Sequence, residues 1–584
     1  MPTSFSGLAP LPARARPLSL ITCAVLLATP GAAALAQVRP DAGSLLEGIR
    51  ELNQPAPQAP RTDLIPQSLP AAAASSTATI GVQQVIFEGA QRVPEVELQA
   101  LAAPLVGATV SLEQINAVAA RITALYAQRG DFLSRALVPP QDTRGGILRI
   151  RIVEAVYGTA DATLAEGARL DPQRVRALLA AQGVAPGAPV QRAGLERSLL
   201  LLEDLPGVQT RASFAPGQAV GSSDLGLEVR EGALLSGRVG LDNLGGRYTG
   251  RGRLSGSVNA NDLSGRGDQL RVGGITSSGL DFVSAGYQMP VGLDGLRLGV
   301  NASGLDYRLC CAYAPLNARG QVRTLGANAS YPLLLSQKST LRGDWNVERR
   351  RSSDDASGTE ISRRRIDVST LSLSWLSSDR LGGLFTLYGG ATYGNLDLSG
   401  NAANQVFDSG TARTAGHYAK LRTAYARMQS WGPAQLLVRI NGQLASKNLD
   451  SSEKLSLGGL DGVRAYAQGE AAGDQALLAS LEYAHALPLP VPGRVQASAF
   501  VDAGRTQLNK NTWNGFQGTR PGLPNQYSLF GWGLGLRWDA AGGASAQLML
   551  ATKAGSNAGA QANGQDIDGN TGKTRLLLVF GLPL

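Results

Sequence analysis

The sequence predicts a mainly β protein: a sixteen-stranded transmembrane β-barrel preceded by two small α+β modules and an N-terminal helix. Three observations carry this. From Ala233 to Leu584 strand-like segments alternate in polarity; the gaps between them alternate between short and long; and beyond the N-terminus no apolar run reaches the roughly eighteen residues that a spanning helix needs. A closed barrel is the other structure that satisfies its own backbone polar groups inside a bilayer.

At the N-terminus, Arg14 and Arg16 precede the apolar run Leu18 to Leu27 and small residues ending Ala34-Leu35-Ala36. This reads as a secretory signal over residues 1–36, cleaved before Gln37. Thr22 is too large for a lipoprotein signal at Cys23, which leaves with the segment. Residues 37–53 then place Leu45, Leu46, Ile49 and Leu52 on one helical stripe. A lone helix this short is marginal in water, so it must dock. Residues 54–78, with Pro55, Pro57, Pro60, Pro66 and Pro70, form an extended linker.

Residues 79–156 and 157–232 read as tandem copies of one strand-helix-helix-strand-strand module. In the first, Val82–Phe87 is a strand and Glu95–Leu105 a helix; Ser111 and Gln114 form a capping-box signature opening a helix to Gln128; Gly130 stops it, and Phe132–Val138 with Ile147–Val153 closes a hairpin. The second opens a helix at Asp171-Pro172 and closes with Val208–Phe214 and Leu225–Val229. Gly130…Arg135-Ala136 matches Gly207…Arg211-Ala212. Because an extended peptide can add a strand to an open sheet edge, the first module's candidate binding edge is Phe132, Leu133, Ser134, Arg135 and Ala136.

Residues 233–584 form the barrel. Val495, Ala497, Ala499, Val501 and Ala503 lie on one strand face and Arg494, Gln496, Ser498 and Asp502 on the other. Apolar residues facing lipid and polar ones facing a lumen fit a membrane barrel. From the fifth strand on, long connections fall at 310–319, 351–362, 399–413, 447–473, 509–526 and 556–571, as expected of outward loops opposite short periplasmic turns. Arg349-Arg350-Arg351 and Arg363-Arg364-Arg365 flank one such loop and read as a solvated face or as contacts to anionic lipopolysaccharide. The net charge of +9 over 584 residues is modest and does not argue for nucleic acid. Cys310 and Cys311, the two cysteines after the signal, read as a bland pair near the third outward loop, since a vicinal disulfide is strained.

No enzyme, cofactor or metal signature is expected. Gly569-Asn-Thr-Gly572-Lys573-Thr574 lacks the first glycine of a phosphate loop, where Ile567 stands. Asp566-Ile-Asp568-Gly569 misplaces the glycine of a calcium loop. His417 and His485, the two histidines, fall inside predicted strands.

Two such modules before sixteen strands resemble the transporters of two-partner secretion, the haemolysin-activator family, with their polypeptide-transport-associated (POTRA) domains. Tyr126-Ala-Gln-Arg-Gly130, Ser134-Arg135-Ala136, Pro139-Pro140-Gln141 and Leu205-Pro206-Gly207-Val208 carry the likeness in the modules. In the barrel, Val463-Arg464-Ala465-Tyr466 is similar to the family's Val-Arg-Gly-Tyr loop motif, and Phe500, Asp502 and Gly504 match its Phe-x-Asp-x-Gly strand motif. Ala465 departs from the motif by adding a Cβ where backbone freedom is expected. Leu584 stands where the last strand commonly ends in an aromatic residue, leaving Phe580 and Leu582 as the signal to the barrel assembly machinery.

The resemblance implies that residues 37–53 are a plug helix and that the protein is an outer-membrane pore of a Gram-negative bacterium with its POTRA domains in the periplasm. It implies a partner exoprotein of haemagglutinin, adhesin or haemolysin type, passed outward in extended form. An outer-membrane protein insertase of the same superfamily is the alternative, and a diffusion porin a third reading. Asp502 falls on an inward strand face and the loop bearing Arg464 is long enough to fold into the lumen, so the motif implies a loop-to-strand ion pair, which a guanidinium can make through two parallel bonds.

Overall fold

The computed structural model describes residues 40–52, 79–518, 520, 522–561 and 563–584; the signal segment 1–36 and the linker 54–78 lie outside them. Helix α1 (Ala42–Leu52) begins where Asp41 and Ser44 cap each other: Ser44 N–H donates to Asp41 Oδ1 at 2.9 Å and Asp41 N–H to Ser44 Oγ at 3.1 Å.

The first module contains β1 (Thr79–Val82), β2 (Gln84–Glu88), α2 (Glu95–Ala102), β3 (Ala108–Ser111), α3 (Leu112–Gln128), β4 (Arg135–Leu137) and β5 (Ile147–Val153). The capping box forms: Ser111 Oγ accepts from Gln114 N–H and Gln114 Oε1 from Ser111 N–H. The single strand expected over 82–87 divides at Gln83, because the amides of Gln83 and Gln84 both donate to Gly146 O. β1 then pairs with β3, a strand the sequence reading did not contain. The second module contains β6 (Val156–Leu164), α4 (Pro172–Ala181), α5 (Arg192–Glu203), β7 (Val208–Pro216) and β8 (Ser222–Glu231). Asp171 caps α4 and Pro172 occupies its first turn, where no backbone donor is needed. The same mixed sheet occurs twice, as β2-β5-β4 and β6-β8-β7, one parallel and one antiparallel pairing in each. Ile115, Ile122 and Ile150 centre one core, and Val175, Leu195 and Leu199 the other.

The barrel strands are β9 (Leu235–Asp242), β10 (Arg253–Asn261), β11 (Gln269–Ser277), β12 (Leu280–Val291), β13 (Leu296–Arg308), β14 (Arg319–Leu335), β15 (Ser339–Ala356) and β16 (Thr359–Ser378) in the first half. The second half comprises β17 (Leu384–Asp397), β18 (Gly416–Trp431), β19 (Ala434–Ala445), β20 (Gln475–Leu487), β21 (Arg494–Gln507), β22 (Gln526–Asp539), β23 (Ser545–Ala554) and β24 (Thr574–Pro583). Every neighbour pair is antiparallel, and β24 closes on β9 from Val579↔Asp242 to Pro583↔Arg238. Alternation sorts the faces: Val501 is 53% exposed on the outer wall while its neighbour Asp502, at 3%, points inward.

Three departures stand out. The connection expected over 351–362 is no long loop: β15 and β16 run to a two-residue turn at Ser357-Gly358, so both arginine triplets lie on paired strands. The long connection after β17 carries a short helix, α6 (Ala402–Gly410). Cys310 and Cys311 are joined as a vicinal disulfide rather than left as an unpaired pair.

Candidate functional site

The 446–474 connection between β19 and β20 folds into the barrel. Leu457, Val463, Ala465 and Tyr466 are fully buried and pack on Leu478, Phe500, Leu529 and Ala551 of the inner wall. The wall has room for them because it is glycine where they touch: a Cβ on Gly504 would lie 3.0 Å from Leu457, and one on Gly531 would lie 3.0 Å from the Cβ of Ala465. Gly531 thus accommodates the extra carbon of Ala465, whose own φ is negative. The loop is not redirected by the departure from Gly.

This seating delivers Arg464 to Asp502. Arg464 Nε donates to Asp502 Oδ2 at 3.0 Å, Nη2 to Oδ1 at 2.8 Å, and the Arg464 amide to Oδ2 at 3.1 Å. The guanidinium lies 3.4 Å over the Phe500 ring. Two further residues complete the cradle. Glu482 accepts from Nη1 at 2.6 Å, and Ser480 accepts from Nη2 while donating to Asp502 Oδ1. Sequence reasoning missed both, although they lie on the same inward face and stand opposite Phe500 and Asp502 in the β20–β21 register.

A second cluster holds α1 against the same loop. Arg364 donates to Asp41 beside α1, to Asp450 in the loop and to Asp354 on β15. Ser451 Oγ donates to Asp41 at 2.7 Å, the Ala42 amide donates to Asp354 at 3.0 Å, and Glu47 pairs with Arg422. Arg350 joins Glu348 to the loop residue Glu453, which also meets Lys420. The inward arginine of each triplet therefore binds plug or loop, and only the outward ones match the solvated reading. Ala42, Leu46 and Ile49 bury against Tyr248, Leu305, Tyr307 and Val322, with Leu45 partly buried beside them. The side chain of Leu52 lies outside the described residues. α1 and the loop also touch directly: a Cβ on Gly43 would meet Ser451 and Ser452, and one on Gly48 would meet Gln468.

The expected binding edge Phe132–Ala136 requires correction. Phe132 and Ser134 are buried where the two modules join. Phe132 stacks on Phe214 edge-on, Arg192 lies over its ring, and Ser134 Oγ accepts from the Ala155 amide. Leu133 packs against the second module's core, and Arg135 folds back on the carbonyls of Phe132 and Ser134. The strand is only Arg135–Leu137, and the amide of Ala136 already donates to Thr123 Oγ1 at 3.0 Å. Successive residues of an antiparallel edge point alternately toward and away from the partner, so the outward donor within β4 itself is already engaged. The joint also holds Glu154, which accepts from the amides of Gln91 and Arg92 and from Tyr126 Oη. Burial raises the Glu154 carboxyl, but these hydrogen bonds and Arg92 outweigh it and hold it below the ordinary glutamate value.

Residues 221–538 match the family described as haemolysin secretion/activation protein ShlB/FhaC/HecB, and residues 80–155 match the ShlB-type POTRA domain. The heme/hemopexin transporter protein HuxB of Haemophilus influenzae is 27% identical over 477 residues, covering 80% of this chain and 82% of the relative. The outer membrane transporter CdiB of Dickeya dadantii is 24% identical over 449 residues, 74% of this chain and 76% of that one. The solved structure of CdiB from Escherichia coli superposes with a TM-score of 0.71 at 20% identity, covering 94% of this chain and 99% of its own.

Proposed function

The chain belongs to the haemolysin secretion/activation family and is a two-partner secretion transporter of the outer membrane, and we propose from that premise that its lumen is closed at rest by α1 and the 446–474 loop acting together. The carrying observation is the occupied lumen, in which one arginine, Arg364, grips the approach to the helix, the loop and the wall at once. An extended polypeptide can pass only after α1 leaves. With both modules in the periplasm, the client is a large exoprotein of haemagglutinin, adhesin or haemolysin type, and its folding outside supplies the drive, with no catalytic group. Outer-membrane lipid and lipopolysaccharide surround the barrel, and the barrel assembly machinery inserts it.

For client capture, β7 is the better edge. It runs nine residues against three for β4 and pairs with β8 alone. The Thr210 amide, which donates to Glu203, marks the outward-pointing parity that Ala212 shares. Proline at Ala212 removes an outward donor while leaving the β8 ladder intact. Cells expressing the exporter with its partner should show reduced secretion for Ala212→Pro at unchanged barrel level. Normal secretion by that variant refutes capture at β7, whereas general loss of outer-membrane proteins on deleting the exporter points to an insertase.

A further inference from the structure

The outward members of the arginine triplets meet a third strand in register. Arg351 stands directly opposite Arg323 on β14 and Arg365 on β16, giving three arginines side by side across three strands of the outer wall. Neighbouring strands lie about 4.8 Å apart, and like charges directly opposite destabilise a sheet. The flanking arginines are partly neutralised, Arg323 by Asp306 and Arg365 by Asp397. The central Arg351 has no ion-pair partner among the described residues. Below the row on the same face lie Leu325, 66% exposed and two residues down β14, and Leu371, 63% exposed and six residues down β16. Beside Leu325 runs a shallow groove of about 700 Å³ lined by Leu325, Ala327, Val347, Ser369 and Tyr393, with the ion pair of Arg349 and Asp367 at its upper end. Above the row, β15 and β16 continue to the outward turn at Ser357-Gly358.

We propose that Arg323, Arg351 and Arg365 bind the phosphates of lipid A in lipopolysaccharide, with an acyl chain lying in the groove beneath. The assignment rests on the outer-membrane reading above. An anionic headgroup relieves the repulsion that the register imposes, and planar guanidinium groups match phosphate oxygens two at a time. The position suits the ligand as well: charge sits where the apolar wall ends and hydrocarbon contact begins below it. Arg351 is the central contact because the other two share their charge with carboxylates.

The full-length exporter in detergent, examined by native mass spectrometry, tests this with three probes: diphosphoryl lipid A, monophosphoryl lipid A and phosphatidylethanolamine. Diphosphoryl lipid A is expected to bind most tightly. Losing a charged hydrogen-bond donor weakens binding about tenfold or more, so Arg351→Gln should lose at least that much for diphosphoryl lipid A and nothing for phosphatidylethanolamine. The triple variant Arg323→Gln/Arg351→Gln/Arg365→Gln should abolish the preference for phosphorylated lipid. Equal binding of the three lipids, or an unchanged preference in the triple variant, overturns the assignment. Fractionation of the same variants separates the two readings: a chain found in the outer membrane without a lipid A preference refutes only the arginine row, and one found elsewhere refutes the premise.

Discussion

Arg464 and Asp502 stand 38 positions apart in the chain yet share a three-point contact, with both carboxylate oxygens and the Arg464 backbone amide engaged. Glu482 and Ser480 take two more of the guanidinium's N–H donors, so the loop is fixed by one buried polar unit.

Removing Arg464 leaves the buried carboxylates of Asp502 and Glu482 without their shared cation, a loss on the order of 3–5 kcal/mol, whereas removing Asp502 leaves Arg464 paired with Glu482 alone. Arg464→Ala and Asp502→Ala should each lower secretion and the thermal unfolding temperature of the folded barrel. The double variant should be no worse than the weaker single one, because residues in one contact couple. Arg464→Lys should resemble Arg464→Ala, since an ammonium cannot reproduce the fork. Independent, multiplying losses at matched membrane levels contradict the coupling.

The fit of Ala465 to Gly531 separates two substitutions that look alike on paper. Ala465→Gly should leave secretion nearly unchanged, at a cost of about 0.5–1 kcal/mol from added backbone freedom. Gly531→Val places carbon where the Cβ of Ala465 and the side chain of Val463 already sit, so the loop should leave its seat. Protease sensitivity of the loop in intact cells reads this: unchanged for Ala465→Gly, raised for Gly531→Val.

Arg364 tests the coupling between plug and loop. Arg364→Gln leaves Asp41, Asp354 and Asp450 facing one another without their shared cation. Planar-bilayer conductance should rise toward that of a chain lacking residues 37–53, with longer open times than the parent. Equal conductance of all three proteins shows that α1 does not occlude the lumen.

At the joint of the modules, the Glu154 carboxylate is held below its ordinary value. A depressed acid contributes stability that is present above the unfolded value of about 4.3 and is lost as pH falls through the folded one. The neighbouring Asp131 shifts the other way, because burial outweighs its pairing with Arg92, so a substitution isolates Glu154 better than the total titration does. Hydrogen exchange at Gln91 and Arg92, corrected for intrinsic rate, should be slow in the parent at pH 7 and quicken once pH falls below the ordinary glutamate range. In Glu154→Gln it should be fast in both conditions. A parent with pH-independent protection contradicts this role.

The barrel was legible because lipid and lumen impose opposite demands on alternate residues, and that pattern fixed β19 as 434–446 by sequence against Ala434–Ala445 in the structure. The same rule was already present in Arg349-Arg350-Arg351, where only the central residue faces inward, but the run of charge beside the expected loop read as one solvated face. Arg464 and Asp502 were recognisable by motif and strand parity. The grip of Arg364 on Asp41 was not: 323 positions separate them, and no local pattern records a contact between a terminal helix and a distant strand. Phe132–Val138 misled for a related reason, since apolar residues beside a short strand serve a joint between modules as well as an open edge.

A tether between α1 and the loop tests the central claim most directly. A Cβ built on Gly48 lies 3.1 Å from Gln468 Cγ, the position a cysteine sulfur would take. In Gly48→Cys/Gln468→Cys, with Arg464 and Asp502 left to anchor the loop, oxidation should stop secretion of the partner and a reductant should restore it. Undiminished secretion from fully cross-linked protein would show that the polypeptide passes with α1 in place, and the plugged-lumen account would be wrong.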